Sequence, residues 1–105
     1  PEKSEPHYKS GIAYYILGEY ESAITEYNKA IVNQPENFAI NVNLALAYEK
    51  INADKAIVQW VKCLAIAESS SVPEEITSWI YESVYNQGKV GLTTQMESYF
   101  NKLEL

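Results

Sequence analysis

GIAYYILGEYESAITEYNKAIVNQP, residues 11–35, decides the fold. Gly11, Tyr14 and Leu17 recur at helical spacing, Gly18 interrupts, and Ala23, Tyr27, Ala30 and Ile31 take up a second helical stripe that Pro35 ends. The pattern returns in residues 45–64, ALAYEKINADKAIVQWVKCL, with Ala45, Tyr48, Ile51, Ala56, Trp60, Cys63 and Leu64 in matching places. There the turn between helices is one residue shorter and the closing Pro is missing. Tyr14, Tyr48 and Tyr81 lie 34 and then 33 residues apart. A period of that length marks stacked two-helix units, because one helical hairpin cannot bury its own apolar face and must share its neighbour's. Function is therefore to be sought on a stacked surface.

The first unit, with Gly11, Tyr14, Leu17, Gly18, Tyr20, Ala23, Tyr27, Ala30, Ile31 and Pro35, resembles the tetratricopeptide repeat (TPR). That helix–turn–helix unit places a small residue and an aromatic on helix A, an Ala and an aromatic on helix B, and a Pro at its end. His7 stands where the family prefers Trp, and Ser10 where it prefers Leu. Ser71-Val72-Pro73-Glu74, 67 residues after Ser4-Glu5-Pro6-His7, opens a third unit in which Ser78 and Tyr81 match Gly11 and Tyr14. The resemblance covers residues 4–67 closely and 71–105 weakly, dissolving past Val84. It implies an all-α fold, a right-handed superhelical stack of antiparallel helix pairs with about six helices. The single domain, 1–105, would divide into repeats 4–37 and 38–70 and a divergent repeat or capping hairpin 71–105.

The residue chemistry agrees. Small residues at Gly11, Ala23, Ala30, Ala45, Ala56 and Cys63 let helix axes approach to about 8–10 Å, and Tyr14, Tyr27, Tyr48 and Trp60 are expected to fill the space between layers. The punctuation predicts helices over about 5–17, with Ser4 as N-cap and Pro6 in the first turn, then 21–33 and 37–51. A fourth starts near Asp54. A capping box of Ser71 and Glu74 opens a fifth that runs to Asn86, and Gly88 and Gly91 bracket the turn before a sixth over 92–103.

Catalytic equipment is sparse: one His, one Cys and no Arg. Cys63 and His7 would have to form any nucleophile–base pair, yet Cys63 takes the small-residue position of a helix B, where a free thiol behaves as a small hydrophobe. One Cys forms no internal disulfide, and a zinc site needs about four soft or imidazole ligands. Gly88-x-x-Gly91 has no preceding strand and no following Gly-Lys-Ser/Thr, so it is not a phosphate loop. Glu74-Glu75, and Glu19 with Glu21, sit where helix dipoles favour carboxylates. The reading is of a protein that is not an enzyme and needs no cofactor or metal. A formal net charge of −6 has the wrong sign for a nucleic-acid partner. The longest apolar run, Phe38 to Tyr48, is broken by Asn41 and Asn43 and falls short of the roughly 18 residues of a membrane span, so no direct membrane insertion by this segment is expected. The chain has no initiating Met, signal peptide or basic leader; it reads as a fragment whose flanks are free to carry an anchor, and its compartment stays open.

In the TPR family, helix A residues facing the concave groove bind ligands. The Tyr14 and Tyr48 registers then nominate Glu5, Tyr8, Lys9, Ile12, Tyr15 and Ile16, followed by Ala39, Val42, Asn43, Leu46, Glu49 and Lys50. The Tyr81 register adds Glu75, Ile76, Trp79, Glu82 and Ser83, with Trp79, Tyr15 and Leu46 expected to share an aromatic pocket. Such a lining suits a peptide or amphipathic helix of another protein. The carboxylate clamp of chaperone-binding TPR domains is absent: its positions read Tyr8, Ile12, Asn43, Glu75 and Trp79, and only the Asn survives. The expected role is a protein–protein interaction module, as a scaffold or assembly factor. The alternative is a self-associating or intramolecular packing unit, a homo-oligomer included.

Overall fold

A computed structural model describes residues 4–87. These form five helices and no strand: α1 (Ser4–Ile16), α2 (Tyr20–Asn33), α3 (Phe38–Glu49), α4 (Ala53–Glu68) and α5 (Glu74–Gln87). The expected sixth helix lies outside the described residues. Short connections between helices force antiparallel neighbours. α1 packs on α2 and α3 on α4, while α2–α3 and α4–α5 contacts join the hairpins into a stack.

Gly18 ends α1 for a reason visible in its backbone. Its φ of 80° lies in the left-handed region that a side chain disfavours. Gly18 N–H donates to Tyr15 O at 3.0 Å and Glu19 N–H to Tyr14 O at 2.9 Å, the paired bonds of a Schellman motif. The second hairpin turns without Gly, and Asn52 caps α4 by accepting from Lys55 N. Asn37 caps α3 in the same way, accepting from Ile40 N at 3.0 Å.

Two other predicted caps differ. Ser4 lies inside α1, where its buried hydroxyl donates to Ala30 O at 2.8 Å, tying α1 to α2 instead of capping. The Ser71–Glu74 box does not form, because Pro73 O accepts the first helical bonds, from Ile76 N and Thr77 N, and α5 begins at Glu74.

The core has two clusters. The first joins Ala23, Tyr27 and Ala30 of α2 to Ile40, Leu44 and Ala47 of α3, with Tyr8, Ile12 and Tyr15 of α1 packed against it. The second joins Ala45 of α3 to Ala56, Trp60, Cys63 and Leu64 of α4 and to Ile80 and Val84 of α5. α3 is apolar all round because it has a neighbour on each side, and Tyr48 touches both clusters. All six predicted small positions are buried, as are Tyr27 and Trp60. Tyr14 instead is 36% exposed. Its counterpart Tyr48 lies between two layers, whereas no described helix covers the outer side of α1. Ile80 follows Ala47 by 33 residues, and both are fully buried on the side turned to the preceding hairpin, so α5 keeps the repeat's orientation.

A polar seam crosses the stack. Asn41 Nδ2 donates to Pro35 O and Asn37 O, which leaves its Oδ1 to accept from Gln59 Nε2 at 2.7 Å. Both side chains are buried, and among the described residues no buried side-chain polar atom lacks a partner. The seam anchors the loop between α2 and α3.

Candidate functional site

Tyr8, Lys9 and Ile12 lie one and two helical turns along α1, and α3 runs beside them. Together with Glu5, Gln34 and Asn37 they line a cleft of about 600 Å³. Four of the nominated residues are thus brought to one place. Gln34 and Asn37 were not nominated; they come from the loop anchored by Asn41, and the only trace of this in the sequence is Asn37's place as a helix cap. Asn37 Nδ2 also donates to Gln34 Oε1 at 2.9 Å, which stiffens that wall.

Asn43 joins the two helices. Its Nδ2 donates to Ala39 O and to the Tyr8 hydroxyl oxygen, both at 2.9 Å. Ala39 O can only accept, so the amide's orientation is determined. Asn43 therefore spends its donor within the chain, and its Oδ1 has no hydrogen-bond partner among the described residues. Tyr8, accepting from Asn43, keeps its own O–H to donate. Burial pushes the Tyr8 phenol above its ordinary range, so it holds that proton. Behind it, Tyr27 is pushed up to about 12, first by burial and then by the neighbouring Tyr8 and Tyr15 hydroxyls.

The other nominated residues divide. Tyr15 stacks edge-on with Tyr20 at 5.3 Å, Lys50 Nζ stands 5.9 Å from the Tyr20 ring centroid, and Ile16 is 77% exposed. Glu49 Oε2 accepts from the indole N–H of buried Trp60 at 2.7 Å. Val42 and Leu46 pack against the second cluster. Trp79 meets Trp60 edge-on at 5.4 Å between centroids and stays 44% exposed. Tyr15 and Trp79 thus have separate ring partners and pack in different layers, where a shared pocket was expected.

Residues 11–52 match the family model described as TPR repeat. That stretch of the chain is a TPR repeat. No curated protein matches the chain. The match begins at Gly11 and ends at Asn52, so it takes in α2, α3 and the last six residues of α1; of the cleft residues it includes Ile12, Gln34 and Asn37, while Glu5, Tyr8 and Lys9 precede it. TPR units are interaction modules for other proteins, and their chemistry is recognition. The thiol of Cys63 fits that character: it is fully buried in the second cluster, and burial pushes it up to about 12, which suppresses the thiolate. His7 belongs to the other layer, where its Nδ1 bonds Glu26 Oε1 at 2.8 Å. Among the described residues no three His, Cys, Asp or Glu side chains gather as metal ligands, and no helix is long and apolar enough to cross a membrane.

Proposed function

We propose that this chain binds a peptide or helix of another protein along the face shared by α1, α3 and α5, and so serves as a scaffold or assembly factor. The observation that carries this reading is the cleft of Tyr8, Lys9 and Ile12, whose apolar floor meets the Tyr8 phenol, and the Asn43 amide bonded to that phenol, whose oxygen has no partner among the described residues. An extended backbone offers a carbonyl and an N–H to such a pair, and the apolar floor takes a side chain. Selection from a random peptide display library, followed by calorimetry on the selected peptides, tests it. Asn43→Ala and Ile12→Ala should weaken binding with helicity unchanged by circular dichroism. Peptides that bind both variants as tightly as the parent would remove this face from the site.

A second reading, self-association, draws on the C-terminal end of α1, where Ile16 and the following Leu17 are more than two-thirds exposed. Light scattering on the eluting peak decides it. A concentration-independent monomer would leave only the groove.

A further inference from the structure

We propose that the α5 end of this face takes a basic segment, an apolar side chain flanked by Lys or Arg. This partner class presupposes the groove proposed above. Along α5, Glu75, Trp79 and Glu82 are spaced by four and three residues, which sets them on one stripe about 10 Å long. All three are exposed, with Ile76 beside them. The stripe therefore presents an indole between two carboxylates.

The nominated charges elsewhere already have partners within the chain. Lys9 pairs with Glu5 at 3.0 Å, Lys50 stands over Tyr20, and Glu49 holds the Trp60 indole. Glu75 and Glu82 make no ion pair with any described residue, and α5 contains no Lys at all. The helix dipole accounts for Glu74 and Glu75 in the first turn, but not for Glu82 two turns further on. A cation resting against Trp79 gains from the ring's negative face as well as from the flanking carboxylates. An acidic partner would meet like charge from both sides of the same ring.

The probe is a capped amphipathic peptide of leucines and lysines, compared with versions carrying Gln or Glu in place of Lys. Calorimetry should show the Lys peptide binding, weakening as salt rises, and the Glu peptide failing to bind. Glu75→Gln with Glu82→Gln should weaken the Lys peptide by about three- to tenfold, and Trp79→Ala by about thirtyfold if the indole is the anchor. Glu21→Gln with Asp54→Asn removes the same charge from α2 and α4 and should leave binding within about twofold. All these side chains are exposed, and circular dichroism checks that each variant folds. Failure of the Lys peptide to bind overturns the proposal. So does equal loss in the Glu21/Asp54 variant, which would mean attraction to net charge alone. A Gln peptide that binds as well as the Lys peptide, and is lost in Ile12→Ala, would sink the basic partner and leave the groove standing. Binding indifferent to Ile12→Ala and Trp79→Ala alike would sink both.

Discussion

Gly11→Ala adds one methyl group where α1 crosses α2, and its effect can be worked from the geometry. A Cβ built there would sit 2.5 Å from both Cδ1 and Cε1 of Tyr27 and 3.1 Å from Cζ. Carbon atoms settle at about 3.5–4.0 Å, so the ring or the helix must give by about 1 Å. Tyr27 has little freedom to do so. Its side chain is buried and its ring is flanked by Tyr8, 6.0 Å away between centroids. Overpacking of this kind costs about 1–3 kcal/mol, and the gain in helix propensity from Gly to Ala offsets about 1 kcal/mol of it. Contacts as short as 2.5 Å against a confined ring put the cost in the upper part of that range, about 2–3 kcal/mol. The net loss is therefore about 1–2 kcal/mol, which in a domain near this size lowers Tm by roughly 5–15 °C. Thermal unfolding followed by circular dichroism measures it, with Ser10→Ala as the control on the exposed side of the same helix. Tyr27→Leu combined with Gly11→Ala should be less destabilising than the sum of the two, since the shortened side chain vacates the space. If Gly11→Ala melts at or above the parent, propensity alone is acting, and the close α1–α2 approach is refuted.

Gln59→Leu should cost about 1–3 kcal/mol in chemical denaturation, because Asn41 Oδ1 is left buried without its donor; an unchanged midpoint would mean that water or a shifted loop replaces the bond. Hydrogen bonds from His7 and then Lys29 hold the Glu26 carboxyl below its ordinary range. A depressed carboxyl contributes stability above its unfolded pKa, and that stability is lost as pH falls through the folded one, so the parent's lead in Tm over Glu26→Gln should shrink from about pH 4.3 downward. A lead that is constant with pH would rule the pairing out. Cys63 should resist thiol reagents at neutral pH in the native protein and react at the ordinary rate in denaturant; fast native labelling would show that the second cluster opens.

The outline of the fold is legible because its signals are local. Gly18 could be read as a helix end since only the left-handed backbone there closes the two Schellman bonds. The 34-residue spacing of small residues and aromatics was equally legible, since stacking imposes it directly on the sequence. Caps were less so. Ser4 has the chemistry of a cap, but its hydroxyl lies within reach of Ala30 O on another helix, and that acceptor is 26 residues away in the chain.

The candidate site divides in the same way. Repeat register put Tyr8, Lys9 and Ile12 on one helical face, and they do line one cleft. The same register put Tyr15, Leu46 and Trp79 together, yet ring packing separates them, Tyr15 toward Tyr20 and Trp79 toward Trp60. Periodicity states which face of a helix a residue occupies but not which neighbour its ring will lie against, because that choice depends on helix separation and rotamer. The chain alone therefore determined the five helical segments among the described residues and the small positions at which they pack. Tertiary packing alone decided that Asn43 would spend its donor on Tyr8, that Glu49 would hold the Trp60 indole, and that Glu75 and Glu82 would have no ion-pair partner among the described residues. Each of those outcomes depends on distances of a few ångströms between side chains 11 to 35 residues apart or on different helices, and hydrogen bonds and ion pairs fall off over just that range.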